Sequence, residues 1–306
     1  MQNYDLLILG AGPAGLSAAV YALRYNLNTA ILGGVPGGLM METHKICNWP
    51  GEKEITGFEL STKMKEQAES LGCHFIYDQA TGLTKNDSGW QIATQSGETY
   101  QAKVIIYSLG TEHRHLGLPV EEKFKGKGVS YCATCDAMFY KGKATAVIGG
   151  GNSAMTAALY LADLCPKVYL ITRGPKLKGE VAWMNDVVKK NNIIHITETQ
   201  VVDLLGETKL EKIVLDKAFE DSKELVIEGL FVEIGLNPRT ELFKQIGGEV
   251  NEINQIKVNA DMSTNLLGML AAGDATNGSN GFRQIVTAVS EGAIAADTAY
   301  KLLSRQ

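Results

Sequence analysis

No stretch of about 18 consecutive apolar residues occurs in the sequence, so no segment reads as a membrane-spanning helix. Basic charge is not in excess either: 29 Lys and Arg stand against 34 Asp and Glu, a net charge of -5 with a pI near 5.6. Such a chain has no general attraction for a phosphate backbone or an anionic lipid surface, which disfavours nucleic-acid and membrane roles. Cysteine is scarce, with five in 306 residues, and Cys47, Cys73 and Cys165 are widely scattered. An odd, dispersed set is a poor disulfide framework and suits a reducing compartment. No basic region precedes the short apolar run Leu6 to Leu9, so no secretory leader is expected and the expected location is cytoplasmic.

What is present is a globular composition, 45% hydrophobic and 21% charged. The length suits about two domains. Two segments share one pattern. Tyr4 to Leu9 leads into Gly10-Ala11-Gly12-Pro13-Ala14-Gly15 and then a helical stretch to Tyr25; Ala144 to Ile148 leads into Gly149-Gly150-Gly151-Asn152-Ser153-Ala154 and a helical stretch to Leu164. Continuous apolar runs of this kind suit strands buried on both faces of a parallel sheet. A further strand is expected after each helix, at Thr29 to Leu32 and at Lys167 to Thr172. Strands are also expected at Cys73 to Tyr77, Trp90 to Thr94, Glu98 to Tyr100 and Val104 to Tyr107, and a strand-rich stretch at Ile193 to Phe231. Gly268 to Gln306 reads as an apolar run, a Gly-Asp turn and a helix over Phe282 to Leu303. The expected fold class is α/β, with two Rossmann-like, doubly wound, three-layer nucleotide-binding domains.

In G-x-G-x-x-G the first glycine permits a tight turn, the second admits a pyrophosphate close to the backbone, and the third lets helix and strand pack closely. The phosphate then sits on the unpaired amides of the helix start. Gly10, Gly12 and Gly15 match fully; Gly149, Gly151 and Ala154 are a variant of the motif. Two such units suggest two dinucleotides, one held and one exchanging. The acid that grips a ribose about 20 residues further on is missing from both. Arg173 ends the second unit's strand, which hints at a 2′-phosphate and NADP rather than NAD, or is a solvated surface residue.

The only C-x-x-C is Cys132-Ala133-Thr134-Cys135, followed by Asp136. At a helix start such a pair can hold a reducible disulfide with one thiolate stabilised by the helix dipole. Asp136 is placed to exchange a proton with a thiol. A zinc site needs a second ligand pair, and His113 and His115, with one residue between them, do not supply it; no metal is expected.

Cys132-Ala133-Thr134-Cys135-Asp136, with Gly37-Gly38, Asn48-Trp49-Pro50-Gly51, Gly117-Leu118-Pro119, Gly149-Gly150-Gly151, Ala272-Gly273-Asp274 and Arg283-Gln284, resembles the low-molecular-weight thioredoxin reductases, class II of the FAD-dependent pyridine nucleotide-disulfide oxidoreductases. The resemblance spans nearly the whole chain. It implies an FAD-binding domain split as 1–113 and 243–306, with an NAD(P)H-type domain carrying the C-x-x-C inserted at 114–242. It implies that Gly10, Gly12, Pro13, Ala14 and Gly15 hold the FAD pyrophosphate and that Gly37, Gly38 and Asn48 lie near the flavin. Gly273 and Asp274 would meet the ribityl chain, and Arg283 and Gln284 would begin a helix aimed at the flavin pyrimidine edge, where its dipole favours the reduced ring. Gly149, Gly151, Asn152, Ser153, Ala154, Arg173 and Lys178 would meet NADPH. The implied activity is thioredoxin-disulfide reduction: electrons pass from FAD through Cys135, Cys132 attacks the disulfide of a thioredoxin-like protein, and Cys135 resolves the mixed disulfide. The family also implies a homodimer whose domains rotate during turnover.

The match departs from the family at the donor site. Thr172-Arg173-Gly174-Pro175-Lys176-Leu177-Lys178 stands where the family carries His-Arg-Arg and a further Arg, and lysine lacks the bidentate fork of arginine. Asn152 stands where an acid is common, and Leu39-Met40-Met41 where Gln-Leu-Thr is frequent. The loop Asn277 to Gly281 is slightly long. NADPH is the first expected donor; reduced ferredoxin or another carrier is the alternative, then NADH. Ferredoxin–NADP reductases of similar fold lack the C-x-x-C, and the flavoproteins of peroxide-reducing systems carry an extra N-terminal region, so neither is the expected reading. A flavin-bound redox sensor without turnover stays open.

Overall fold

The computed structural model describes residues 2–305. Contacts divide the chain into two units. One comprises the residues up to Glu112 together with those from Asn237 on, and the other is His113–Leu236. The return crossing therefore falls at 236/237, a few residues before the expected 242/243. Its physical reason is local. Leu236–Pro238 pairs with Thr111–His113, so the two connections run side by side. Beyond them the Tyr107 hydroxyl donates to the Arg239 carbonyl at 2.9 Å, and Phe243 packs edge-on to Tyr107 in the first unit's core.

In the first unit, five parallel strands lie in the order His74–Ile76, Thr29–Leu32, Gln2–Leu9, Thr99–Tyr107, Met269–Ala271. Successive side chains of a strand point to opposite faces. Leu6 and Ile8 accordingly meet Leu16, Ala18 and Ala22 of the helix Pro13–Arg24 and Ala295, Ala296 and Ala299 of the helix Ile285–Leu303. Leu7 and Leu9 enter the opposite core, with Trp90, Ile92, Phe243 and Ile256. All four residues of the run Leu6 to Leu9 are 0% exposed, which is why the run shows no alternation. Burying each such side chain contributes roughly 1.5–3 kcal/mol.

Two elements are not anticipated by the apolar pattern. The helix Gly57–Ser70 buries only Gly57, Leu60, Ser61 and Ala68 and so has little apolar periodicity, yet it opens on a capping box between Thr56 and Glu59. The strand Ala80–Asn86 forms an antiparallel hairpin with Gly89–Thr94, which continues onto the first half of Thr99–Tyr107. That long strand is continuous, although the polar Gln101 and Lys103 suggest two.

The second unit repeats the plan. Its parallel order is Ile193–Ile196, Lys167–Ile171, Ala144–Ile148, Gly229–Val232, Val129–Ser130, with the helices Asn152–Leu164 and Val181–Lys189. The stretch expected to be strand-rich supplies an antiparallel sheet of Val201–Leu205, Lys212–Phe219 and Ser222–Val226. No helix among the described residues is long and apolar enough to cross a membrane.

Packing between the helices Pro13–Arg24 and Ile285–Leu303 depends on Gly292, where an added Cβ would lie 2.1 Å from the Ala14 carbonyl oxygen. Gly292→Ala is expected to cost about 1–3 kcal/mol through overpacking. Gly34→Ala, at a site with nothing within 4 Å, is expected to stay within about 0.5 kcal/mol of wild type. Denaturant unfolding of both variants checks the pair; equal losses would contradict the packing.

Candidate active site

Three turns meet at the start of the helix Pro13–Arg24. Gly10 has φ +104°, and a Cβ there would sit 2.3 Å from the Ser108 carbonyl oxygen; one at Gly15 would sit 1.9 Å from the Gly10 oxygen. These approaches bring helix and strand together, while the space beside Gly12 stays open within 4 Å. Gly37, at φ +101°, donates its amide to the Ala11 carbonyl at 2.7 Å, and a Cβ on Gly38 would come 3.3 Å from Gly12 Cα. Gly273, at φ +84°, would bring a Cβ 3.0 Å from Ala14 Cβ. Gly10, Gly12, Ala14, Gly15, Gly37, Gly38 and Gly273 thus surround one helix start, with Pro13 as its first residue.

Asp274 follows Gly273. Burial pushes its carboxyl above the ordinary value; Arg283 opposes this and Glu291 adds to it. No described group donates a hydrogen bond to that carboxylate. Glu291 itself, buried in the helix Ile285–Leu303, accepts from the Gly273 amide at 2.8 Å and the Thr276 hydroxyl at 3.0 Å, and so holds the turn. Sequence reasoning missed Glu291; its signal is a carboxylate on an alanine-rich helix face. Gln284 is the N-cap of that helix, and its side-chain oxygen accepts from Asn48 Nδ2 at 3.0 Å.

In the second unit Gly149 has φ +139°, and a Cβ there would lie 2.1 Å from the Glu233 carbonyl oxygen. The space beside Gly151 is nearly open, with only the Lys178 carbonyl oxygen at 3.9 Å, and Ala154 stands where a third glycine would. The segment after the next strand folds back onto this turn. The Lys178 amide donates to the Gly150 carbonyl at 2.7 Å, and Asn152 both accepts from the Glu180 amide at 2.9 Å and donates to its carboxylate at 3.0 Å. Ser153 is exposed at the helix start. Arg173 and Lys178 are exposed and have no ion-pair partner among the described residues.

Cys132 and Cys135 form a disulfide with 5.3 Å between Cα atoms. Cys132 caps the short helix Ala133–Asp136, and its Sγ accepts the Cys135 amide at 3.1 Å, a bond that favours a thiolate there. Cys135 is exposed and Cys132 half-buried. Asp136 is half-buried and accepts from the Ser130 hydroxyl at 2.6 Å. Just beyond stand Met138 and Phe139, 57% and 73% exposed. The other thiols lie elsewhere in sequence and character. Burial pushes Cys73 up to about 12 and raises Cys165, while Cys47 is exposed. Among the described residues no group of three His, Cys, Asp or Glu side chains is placed to hold a metal ion.

A second feature behind the pair was not read from the sequence. The buried Glu121 accepts from the Leu116 and Gly117 amides, each at 2.9 Å, and from the Tyr131 hydroxyl at 2.5 Å. Since that hydroxyl's one proton faces Glu121, His115 Nδ1 donates to the Tyr131 oxygen at 2.8 Å. Burial alone would raise the Glu121 carboxyl, but the Tyr131, Leu116 and Gly117 bonds and His115 outweigh it and hold it below the ordinary value.

The model of the pyridine nucleotide-disulphide oxidoreductase family matches residues 4–292. The chain belongs to this family. It is 38% identical over 300 residues to the thioredoxin reductase of Treponema pallidum, covering 97% of this chain and 96% of that one. Among solved structures it is similar to the Lactococcus lactis thioredoxin reductase in its FR conformation, with a TM-score of 0.93, 37% identity, and 99% and 100% of the two chains covered. It is also similar to a ferredoxin-flavin thioredoxin reductase from Clostridium acetobutylicum, with a TM-score of 0.55, 32% identity and 100% of both chains covered.

The lowered Glu121 carboxyl makes a prediction about acid stability. The folded protein binds fewer protons here than the unfolded chain, so the stabilisation is present above the ordinary value of 4.5 and is lost as pH falls through the lowered one. Thermal melts should show Glu121→Gln well below wild type at neutral pH, with the gap closing below pH 4.5. A gap that does not depend on pH would contradict the assignment.

Proposed function

We propose that the chain is an FAD-dependent thioredoxin-disulfide reductase in which Cys132 and Cys135 are the redox-active pair. The observation that carries this reading is the Cys132–Cys135 disulfide beside Asp136, in a chain that also holds two dinucleotide-type glycine turns. The first turn fits FAD. Gly10, Gly12, Pro13, Ala14 and Gly15 would hold the pyrophosphate at a helix start whose first amides have no partner in the helix. Gly37 and Gly38 would lie beside it, and the unbonded Asp274 carboxylate, set by Gly273 and Glu291, suits a sugar hydroxyl. Asn48, Arg283 and Gln284 would face the flavin ring. FAD, when bound, supplies the electron pair.

The protein's own residues do the rest. The disulfide takes up two electrons and one proton, from Asp136, to give the Cys135 thiol and the Cys132 thiolate. The Cys132 thiolate, favoured by the Cys135 amide, attacks one sulfur of the partner disulfide; the other partner sulfur leaves and takes a proton. Cys135 then attacks the Cys132 sulfur, which releases the second partner thiol and restores the intrachain disulfide. Met138 and Phe139 offer apolar contact area to a thioredoxin-like protein. The reaction needs a reducing compartment, the cytoplasm, and we take the assembly to be a homodimer.

Trapping separates the roles of the sulfurs, which their exposures alone would reverse. Cys135→Ser should accumulate a mixed disulfide with an oxidised thioredoxin through Cys132, and Cys132→Ser should not. Non-reducing gels and mass spectrometry read this out; trapping by the second variant alone would exchange the roles.

NADPH is the first donor, taken up at Gly149, Gly151, Asn152, Ser153 and Ala154 with Arg173 and Lys178 meeting the 2′-phosphate. A second reading, with reduced ferredoxin as donor, is favoured by Gly174 in a segment with only one arginine. Anaerobic titration of the FAD-loaded protein with NADPH, NADH and reduced ferredoxin decides between them. Stoichiometric bleaching of the flavin by NADPH is expected. Bleaching by ferredoxin with no response to either nucleotide would overturn the first donor.

A further inference from the structure

We propose that Ser130 is a positioning residue for the disulfide chemistry, holding the Asp136 carboxyl so that one oxygen, Oδ1, carries the proton to sulfur. The proposal rests on the reading of Cys132, Cys135 and Asp136 given above. Ser130 ends the strand Val129–Ser130 and is 4% exposed. Its hydroxyl has one hydrogen and two acceptors within reach, Asp136 Oδ2 at 2.6 Å and the Cys132 carbonyl oxygen at 3.3 Å. The shorter bond, to the carboxyl oxygen, takes the hydrogen. The same oxygen accepts the Cys132 amide at 3.1 Å, which fixes how the hydroxyl can turn. One side chain therefore ties the backbone of the first cysteine to the acid beside the second.

The consequence is a choice between two otherwise equivalent oxygens. With Oδ2 accepting from Ser130, Oδ1 is the oxygen left free to take up a proton and pass it on. When an electron pair reaches the disulfide, the S–S bond breaks and the Oδ1 proton passes to the Cys135 sulfur. The products are a Cys135 thiol, a Cys132 thiolate and an Asp136 carboxylate, which solvent reprotonates. The Cys132 thiolate keeps the Cys135 amide as its hydrogen-bond donor. Without the Ser130 hydroxyl, the carboxyl can turn either oxygen toward the sulfur or away from it.

A cofactor-independent readout tests this: the rate at which dithiothreitol opens the Cys132–Cys135 disulfide in the full chain, followed by alkylation and intact mass. Ser130→Thr and Ser130→Val have the same shape and differ only in hydroxyl against methyl, so damage from added bulk is common to both. The Thr variant is expected to open about tenfold faster than the Val variant, a part of the 10²–10⁴ range of a positioned acid. In an Asp136→Asn background that ratio should fall to one. Equal rates with Asp136 present, or a ratio that persists in the Asn background, would overturn the proposal. Asp136→Asn alone leaving the rate unchanged would overturn the reading of Asp136 beneath it, and the proposal with it. Ser130→Ala, which adds no bulk, gives the same comparison against wild type if the larger variants do not fold.

Discussion

Backbone meets backbone in this molecule at distances that admit no side chain, and the rest of the architecture follows from those approaches. Gly15 against the Gly10 carbonyl sets a helix directly on the end of its strand, and Gly292 against the Ala14 carbonyl packs the C-terminal helix on the same helix. In the second unit Gly149 approaches the Glu233 carbonyl as Gly10 approaches that of Ser108 in the first. The two glycine turns each leave a helix start facing open or nearly open space, beside Gly12 and Gly151, which is where a dinucleotide pyrophosphate is best received.

The glycine turns and apolar runs that answer these constraints are short and local in sequence, which is why so much was legible. Leu6 to Leu9 and Ala144 to Ile148 read as strands buried on both faces because an unbroken apolar run is what two cores demand of a strand. The Cys132–Cys135 pair stood out by its spacing, and its redox reading came from the two glycine turns and the family resemblance beside it. What was not legible depends on partners distant in the chain. The helix Gly57–Ser70 buries too few apolar residues to show its period. Glu291 and Glu121 become buried acceptors only when amides from other segments, at Gly273 and at Leu116 and Gly117, arrive beside them. The end of the inserted unit was set by the pairing of Leu236–Pro238 with Thr111–His113, which leaves no signature in either segment alone.

Around the redox pair, two layers of hydrogen bonding do different things. Glu121, Tyr131 and His115 fasten the segment that enters the loop. Ser130 and the Cys135 amide bond the disulfide loop itself, one to the Asp136 carboxyl and the other to the Cys132 sulfur. A disulfide that must open and close repeatedly needs both a fixed frame and a defined path for its proton. Burial raises the Cys73 and Cys165 thiols and so disfavours their thiolates.

One chain is to store electrons in two places, a bound flavin and the Cys132–Cys135 disulfide. Anaerobic reductive titration with dithionite, counting equivalents per flavin, tests this directly. A flavin and a disulfide are each two-electron couples, so the FAD-loaded protein should take up four electrons per flavin and a variant lacking either cysteine of the pair two. Uptake of only two by the unaltered chain would mean that the disulfide receives nothing from the flavin, and the account would fall.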